Sequence, residues 1–161
     1  MAVDMFLDIA GEIEGEAQDD SHKKEIDVLA WSWGLSNSGS WHAGGGGGAG
    51  KCMVQDMSIT KWVDSSSALL GLYCANGDHF LKAKLTVRKS GKKPLEYIII
   101  EMDKVLITSV SIGGSGGEDK LTENVSLNFR KVNFTYVPQK PDGTGGDKKE
   151  WTWDMAENVG K

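Results

Sequence analysis

Residues 81–89 read LKAKLTVRK, with apolar and polar side chains in near-perfect alternation. Leu81, Ala83, Leu85 and Val87 fall on one face, and Lys82, Lys84 and Arg88 on the other. A period of two belongs to a strand with one face in a core and the other in water. The same period recurs outward from it. Val3, Met5, Leu7 and Ile9 alternate in VDMFLDIA (3–10), and Leu29, Trp31, Trp33 and Leu35 in EIDVLAWSWGLS (25–36). Met57 and Ile59 share a face of VQDMSITKWV (54–63), and Trp151, Trp153 and Met155 share one near the C-terminal end.

Two runs are long for single strands. LEYIIIEMDKVLITSVSI (95–112) predicts a bend or bulge midway. LTENVSLNFRKVNFTYV (121–137) is apolar at odd positions through Phe129, then at Val132, Phe134 and Tyr136. That change of phase near Arg130 predicts a bulge or a strand that serves two surfaces. One helix is expected in DSSSALLGLYCANG (64–77): Asp64 or Ser65 as N-cap, Leu69, Leu72 and Tyr73 as the apolar stripe, and Gly77 as the left-handed stop. The expected fold is mainly β, a sandwich or barrel of about seven strands with one α-helix. At 161 residues it is expected to be one domain spanning 1–161.

The net charge of −5 argues against nucleic acid as the main partner. No run approaches the ~20 apolar residues of a membrane helix, and the first residues lack the pattern of a secretory signal. Membrane insertion is therefore not expected, and synthesis in the cytoplasm is. Cys52 and Cys74 form no metal-type spacing and are expected as free thiols.

Three motifs suggest chemistry and fail on context. GGGGGAGKC (44–52) contains the phosphate-loop pattern, but a Cys follows Lys51 where a Mg²⁺-binding hydroxyl is needed, and no helical pattern follows. GGSGG (113–117) fits a nucleophile elbow, but a strand follows it instead of a helix. His22, His42 and His79 are too scattered for a metal pair. No enzyme, cofactor or metal is expected.

The polar faces of four strands say more. Opposite the apolar faces lie Ser32 and Ser36, then Asp56, Ser58 and Thr60, then Ser109 and Ser111, then Asn124, Ser126 and Asn128. These side chains are short and mostly uncharged, unlike the lysines of residues 82–88. They suit a surface with little room, such as a pore wall or a close contact.

Taken together, EIDVLAWSWGLSNSGS (25–40), HAGGGGGAGKCMVQDMSITK (42–61), AKLTVRKSGKKPLEY (83–97) and SVSIGGSGGEDKLTENVSLNF (109–129) resemble the hemolysin-coregulated protein (Hcp) family. The likeness runs from the first strand to the turn at Tyr136–Gln139 and is looser beyond. It implies a barrel-like protomer similar to phage tail-tube proteins. It also implies homo-hexameric rings stacked into the inner tube of a type VI secretion system. A contractile sheath expels that tube behind a spike protein, and effector proteins ride in the lumen. The subunit would leave the cell without a cleaved signal. The loop 37–50 would be the ring-stacking loop, with Trp41, His42, Gly44, Gly45, Gly46, Gly47, Gly48 and Lys51 as its contact residues. The resemblance points to a lumenal sheet, and strand parity nominates Ser32, Ser58, Ser126 and Asn128 on it. The alternatives are a monomeric β-sandwich binding module, for instance for glycans, and a phage-derived tail-tube protein.

Overall fold

The computed structural model describes residues 2–39 and 49–161. In chain order the described elements are β1 (Val3–Asp8), β2 (Ile26–Ser32), β3 (Leu35–Gly39), β4 (Ala49–Val54), β5 (Met57–Trp62), α1 (Ser67–Asn76), β6 (His79–Lys89), β7 (Leu95–Gly113), β8 (Thr122–Tyr136), β9 (Lys149–Asp154) and β10 (Val159–Gly160). The main sheet runs β10-β9-β8-β5-β2-β1-β6-β7, and β7 also pairs with β8. The six strands β8, β5, β2, β1, β6 and β7 thus close a barrel, with every neighbouring pair antiparallel. Strands β9 and β10 extend from the far half of β8, and β3–β4 form a separate hairpin. The strand count exceeds the expected seven by three. Residues 25–36 break at Trp33–Gly34 into β2 and β3, β4 precedes the run expected from residue 54, and the C-terminal run breaks after Asp154 into β9 and β10.

The barrel is filled by Leu7, Ile26, Ile59, Leu85, Ile100 and Leu127, each 1% exposed or less. Closure pairs both edges only over part of the barrel: the ladders of β1 with β2 and of β6 with β7 stop at Asp27 and Leu106. Three sequence expectations change, each for a local reason. In β2, Val28 pairs with Lys61 and Ala30 with the adjacent Thr60, so Leu29 is an extra residue. That bulge turns Leu29 outward and puts Trp31 and Trp33 on the core side with Ile26 and Val28. Leu35, in β3 beyond the break, is exposed.

The phase change near Arg130 is real, but no register shift between β7 and β8 accompanies it. It is shared by three strands. Inward positions switch from Val105 and Ile107 to Met102 and Ile100 in β7, from Leu127 and Phe129 to Val132 in β8, and from Phe80 to Ala83 in β6. Lys104, at the turning point, takes φ 53°. The strands bend together as one corner, and Leu81 is left 67% exposed beside it.

The third change is Arg88, expected in solvent and found 9% exposed. The connection 9–25 accounts for it. Asp19 from that connection and Asp4 from β1 both accept hydrogen bonds from its guanidinium, at 2.5–3.0 Å. His22 stacks on Phe6 and lies within 2.8 Å of Glu25 and Glu96. The Arg88 hydrogen bonds hold the Asp19 carboxyl down at about 2, against an ordinary 3.8. A depressed carboxyl adds stability that is full above its ordinary value and lost as pH falls through the lowered one. Asp19→Asn should therefore flatten the acid-unfolding curve between about pH 4 and pH 2, followed by tryptophan fluorescence. An unchanged curve would remove this ion pair from the account.

The N-cap is Ser66, one or two residues later than expected, so the helix begins at Ser67, and its C-cap Gly77 has φ 73°. Its stripe is also shifted by one step. Leu70 is buried, and Tyr73 and Cys74 pack against the core, while Leu69 and Leu72 are exposed. Asp64 organises the approach instead of capping: its Oδ1 accepts from the Ser66 N–H at 2.8 Å.

Candidate functional site

The polar residues that the sequence singled out are brought into rows. Ser32 pairs with Ser58, Ser58 with Ser126 and Ser126 with Ser109, so one row of serines crosses β2, β5, β8 and β7. A second row, Ala30, Thr60, Asn124 and Ser111, runs beside it. Ladder partners on one face stand side by side, with neighbouring strands ~4.8 Å apart. The opposite face of the same strands carries Met57, Ile59, Val125 and Leu127, all buried. Parity therefore decides the site: whatever alternates with the core in these strands points out of the barrel.

The outer face has an internal order. Thr60 Oγ1 donates to Asn124 Oδ1 at 2.7 Å. Asp56 accepts from Thr108 Oγ1 and Asn128 Nδ2, both at 2.8 Å. Two flanking sets of groups thus bond among themselves and are held in fixed rotamers. Ser32, Ser58 and Asn128 are exposed, and Ser126 is partly so. All four nominated wall residues lie on one face of one sheet.

That sheet has two open edges. Among the described residues, β2 from Val28 to Ser32 has a ladder partner only in β5. Among the same residues, β7 from Ile107 to Gly113 has one only in β8. Because β2, β5, β8 and β7 alternate in direction, a second copy's β2 placed beyond β7 would again be antiparallel.

The nominated loop residues fare differently. Trp41, His42 and Gly44 to Gly48 lie outside the described residues. The arms of that loop are paired: Asn37 faces Cys52, Gly39 faces Ala49, and Asn37 Nδ2 donates to the Gly50 carbonyl at 2.7 Å. Lys51 is exposed in β4 and opens no helix, so the phosphate-loop pattern lacks the dipole its chemistry requires. The GGSGG run leads from β7 into β8, a connection between strands as expected. At the base of the β3–β4 hairpin, Trp33 stacks on Trp151 at 5.9 Å and donates from Nε1 to the Gln55 carbonyl at 2.9 Å. Those contacts fix where the hairpin leaves the barrel.

Sequence reasoning missed one buried cluster beneath the wall. Lys61 and Glu123, paired across β5 and β8, are both fully buried and form a short ion pair. Lys61 Nζ also reaches Asp64 Oδ1 at 3.0 Å and the Trp62 carbonyl at 2.8 Å, and Ser67 Oγ donates to Glu123 at 2.7 Å. The signal was available: Lys61 continues the inward parity of Met57 and Ile59, and Glu123 that of Val125 and Leu127.

A six-stranded barrel with, among the described residues, a single helix, a hairpin arm and a polar outer sheet defines a class that comparison with known proteins identifies. The family model described as "Type VI secretion system effector, Hcp" matches residues 6–136. Protein hcp1 of Pseudomonas aeruginosa is 55% identical over 161 residues, which cover 99% of each chain. Among solved structures, one described as a type six secretion system protein superposes with a TM-score of 0.94 at 29% identity, covering 99% of this chain and 100% of the other. Hcp1 of Salmonella typhimurium gives 0.80 at 33% identity over the whole of both chains. A type VI secretion system effector of Yersinia pestis gives 0.77 at 34% identity, covering 94% and 99%. The chain belongs to the Hcp family of type VI secretion system proteins.

Proposed function

We propose that this chain is the tube subunit of a type VI secretion system, one structural domain across residues 1–161 and not an enzyme. Copies join laterally into hexameric rings, the rings stack into a tube, and the sheet β2-β5-β8-β7 faces the lumen. The observation that carries the reading is the mostly uncharged polar face on a sheet whose two edges lack ladder partners among the described residues. Rotation repeats a head-to-tail contact until it closes, so one open edge meets the other without leaving any exposed. Short side chains leave the pore wide, and hydroxyl and amide groups can hold a protein surface without charge selectivity. Effector proteins are the cargo of that lumen. A contractile sheath drives the tube, and the subunit with it, out of the cell behind a spike protein. Size-exclusion chromatography with light scattering should find about six protomers per particle. A monomer at all concentrations would favour the β-sandwich binding module instead.

The glycine loop serves stacking in this reading. Glycines permit close approach of backbone to backbone, which suits a segment that lies against a neighbouring ring. Deleting Gly44–Gly48 should leave the fold and the rings intact and reduce tube formation in electron micrographs. Undiminished tubes would take stacking away from this segment.

A further inference from the structure

His22 meets a carboxylate at each of its ring nitrogens. Nδ1 lies 2.7 Å from Glu25 Oε2, and Nε2 lies 2.8 Å from Glu96 Oε1. The residue is 4% exposed, and its ring stacks on Phe6 with 4.4 Å between centroids. An ionised carboxylate only accepts, so each contact needs a hydrogen of its own, and a neutral imidazole carries one. A neutral ring between two ionised carboxylates would set one lone pair against another in a buried place. The geometry therefore calls for two protons shared among the three groups. Burial raises the Glu25 carboxyl, against the pull of the His22 hydrogen bond, which helps the cluster keep the second proton.

The cluster fastens the 9–25 connection to the barrel. Within the connection, the Gly15 and Ala17 N–H groups donate to the Lys24 and Glu25 carbonyls and tie its two halves together. Across to the strands, His22 reaches Glu96 of β7 and Asp19 reaches Arg88 of β6. Around these bonds Glu25 Oε1, Thr86 Oγ1 and Arg88 Nε are buried and have no hydrogen-bond partner among the described residues. Unmet buried polar atoms cost free energy, so the closed connection leans on the few ionic bonds that hold it. The other charged groups around the cluster are Asp19 in the connection, Asp4 and Asp8 on β1, and Lys84 and Arg88 on β6. Carboxylates, lysines and arginines ordinarily keep their charge between about pH 7 and about pH 9, whereas an imidazole ordinarily loses its own below that range.

We propose that His22, Glu25 and Glu96 form a proton-held catch on the 9–25 connection, shut while the three groups share two protons and released as rising pH removes one. The sign follows from counting. Above about pH 6.5 an imidazole freed from the cluster is neutral, so the closed form binds one proton more than the open form. The form that binds more protons loses ground as pH rises, and opening should grow by up to about tenfold per pH unit. The connection lies over β1 and β6, so this device is independent of the sheet β2-β5-β8-β7 and of the lumenal reading.

Trypsin digestion of the full-length protein tests it. Lys23 and Lys24 are exposed, but the Lys24 N–H donates to the Ala17 carbonyl at 2.9 Å, so cutting between them needs the connection to open. Cleavage there, normalised to trypsin's rate on a free lysyl peptide, should rise by about tenfold or more from pH 7 to pH 9. Glu96→Gln gives Nε2 a permanent amide hydrogen in place of the titrating proton. That variant should keep its slow pH 7 rate at pH 9, a gain of protection that misfolding cannot produce. Asp19→Asn loosens the same connection through a carboxyl that stays ionised across this range, and it should speed the cut by the same factor at both pH values. A wild-type rate that does not change with pH, a Glu96→Gln rate that climbs as steeply as the wild type, or an Asp19→Asn rate equal to the wild type would overturn the proposal.

Discussion

Lys61→Met and Glu123→Leu should each destabilise the protein by about 3–5 kcal/mol, while the double variant recovers most of that loss. Both side chains are fully buried. Lys61→Met leaves Glu123 as an unpaired charge in the barrel, with its desolvation cost uncompensated, whereas Glu123→Leu leaves Lys61 its ion pair with Asp64 and should fall at the lower end of that range. Removing both leaves an apolar cross-strand pair at the same position and extends the core that Ile59 and Val125 already form. Asp64 keeps its bond from the Ser66 N–H in every case, so the approach to α1 survives. For a chain of this length the single variants should melt roughly 10 °C lower. Urea unfolding of the three variants measures the cycle. Single variants as stable as the wild type would mean the pair is hydrated, and equal losses in single and double variants would mean the site cannot repack.

Ser32→Arg and Trp33→Arg are adjacent substitutions with opposite expected outcomes. Ser32 is exposed on the polar wall, opposite the core side of β2. An added arginine there loses no packing, and surface changes of this kind cost ~0.5 kcal/mol or less. In a ring the change is repeated around the lumen, where it fills space and adds charge. The variant should melt and assemble like the wild type, yet lose co-purifying effector. Trp33 is half-buried and packs on Phe129 and Trp151. Arginine there puts a charge among aromatic rings and removes the Nε1 bond to Gln55, so folding itself should fail. Thermal melts, particle sizing and effector pull-down on both variants separate the effects. Unfolding of Ser32→Arg would contradict the face assignment, and full cargo retention would exclude that position from the cargo surface.

The polar outer face was legible in the sequence because strand parity is local: knowing that Met57 and Ile59 face inward is enough to turn Ser58 outward. The same parity holds for Lys61, yet a charged residue continuing an apolar stripe reads as its end unless its partner is known. Glu123 lies 62 positions away, and only the β5–β8 register brings the two together. Leu29 was misplaced because a bulge depends on the partner strand, which no single run of sequence displays. Arg88 was misplaced because burial by the 9–25 connection is a tertiary event at an otherwise polar position. The phase change near Arg130 was visible in β8, but that β6 and β7 turn with it is a property of the barrel corner.

The central claim is that the sheet β2-β5-β8-β7 forms the inner wall of a ring. With Cys52 and Cys74 replaced by serine, a cysteine at Ser58 or at Lys84 can carry a gold-cluster maleimide for electron microscopy. Ser58 lies in the middle of the serine row, and Lys84 lies on β6, away from it. The account predicts gold inside the pore for Ser58→Cys and at the outside of the particle for Lys84→Cys. Gold from Ser58→Cys at the periphery, with the rings intact, would contradict it.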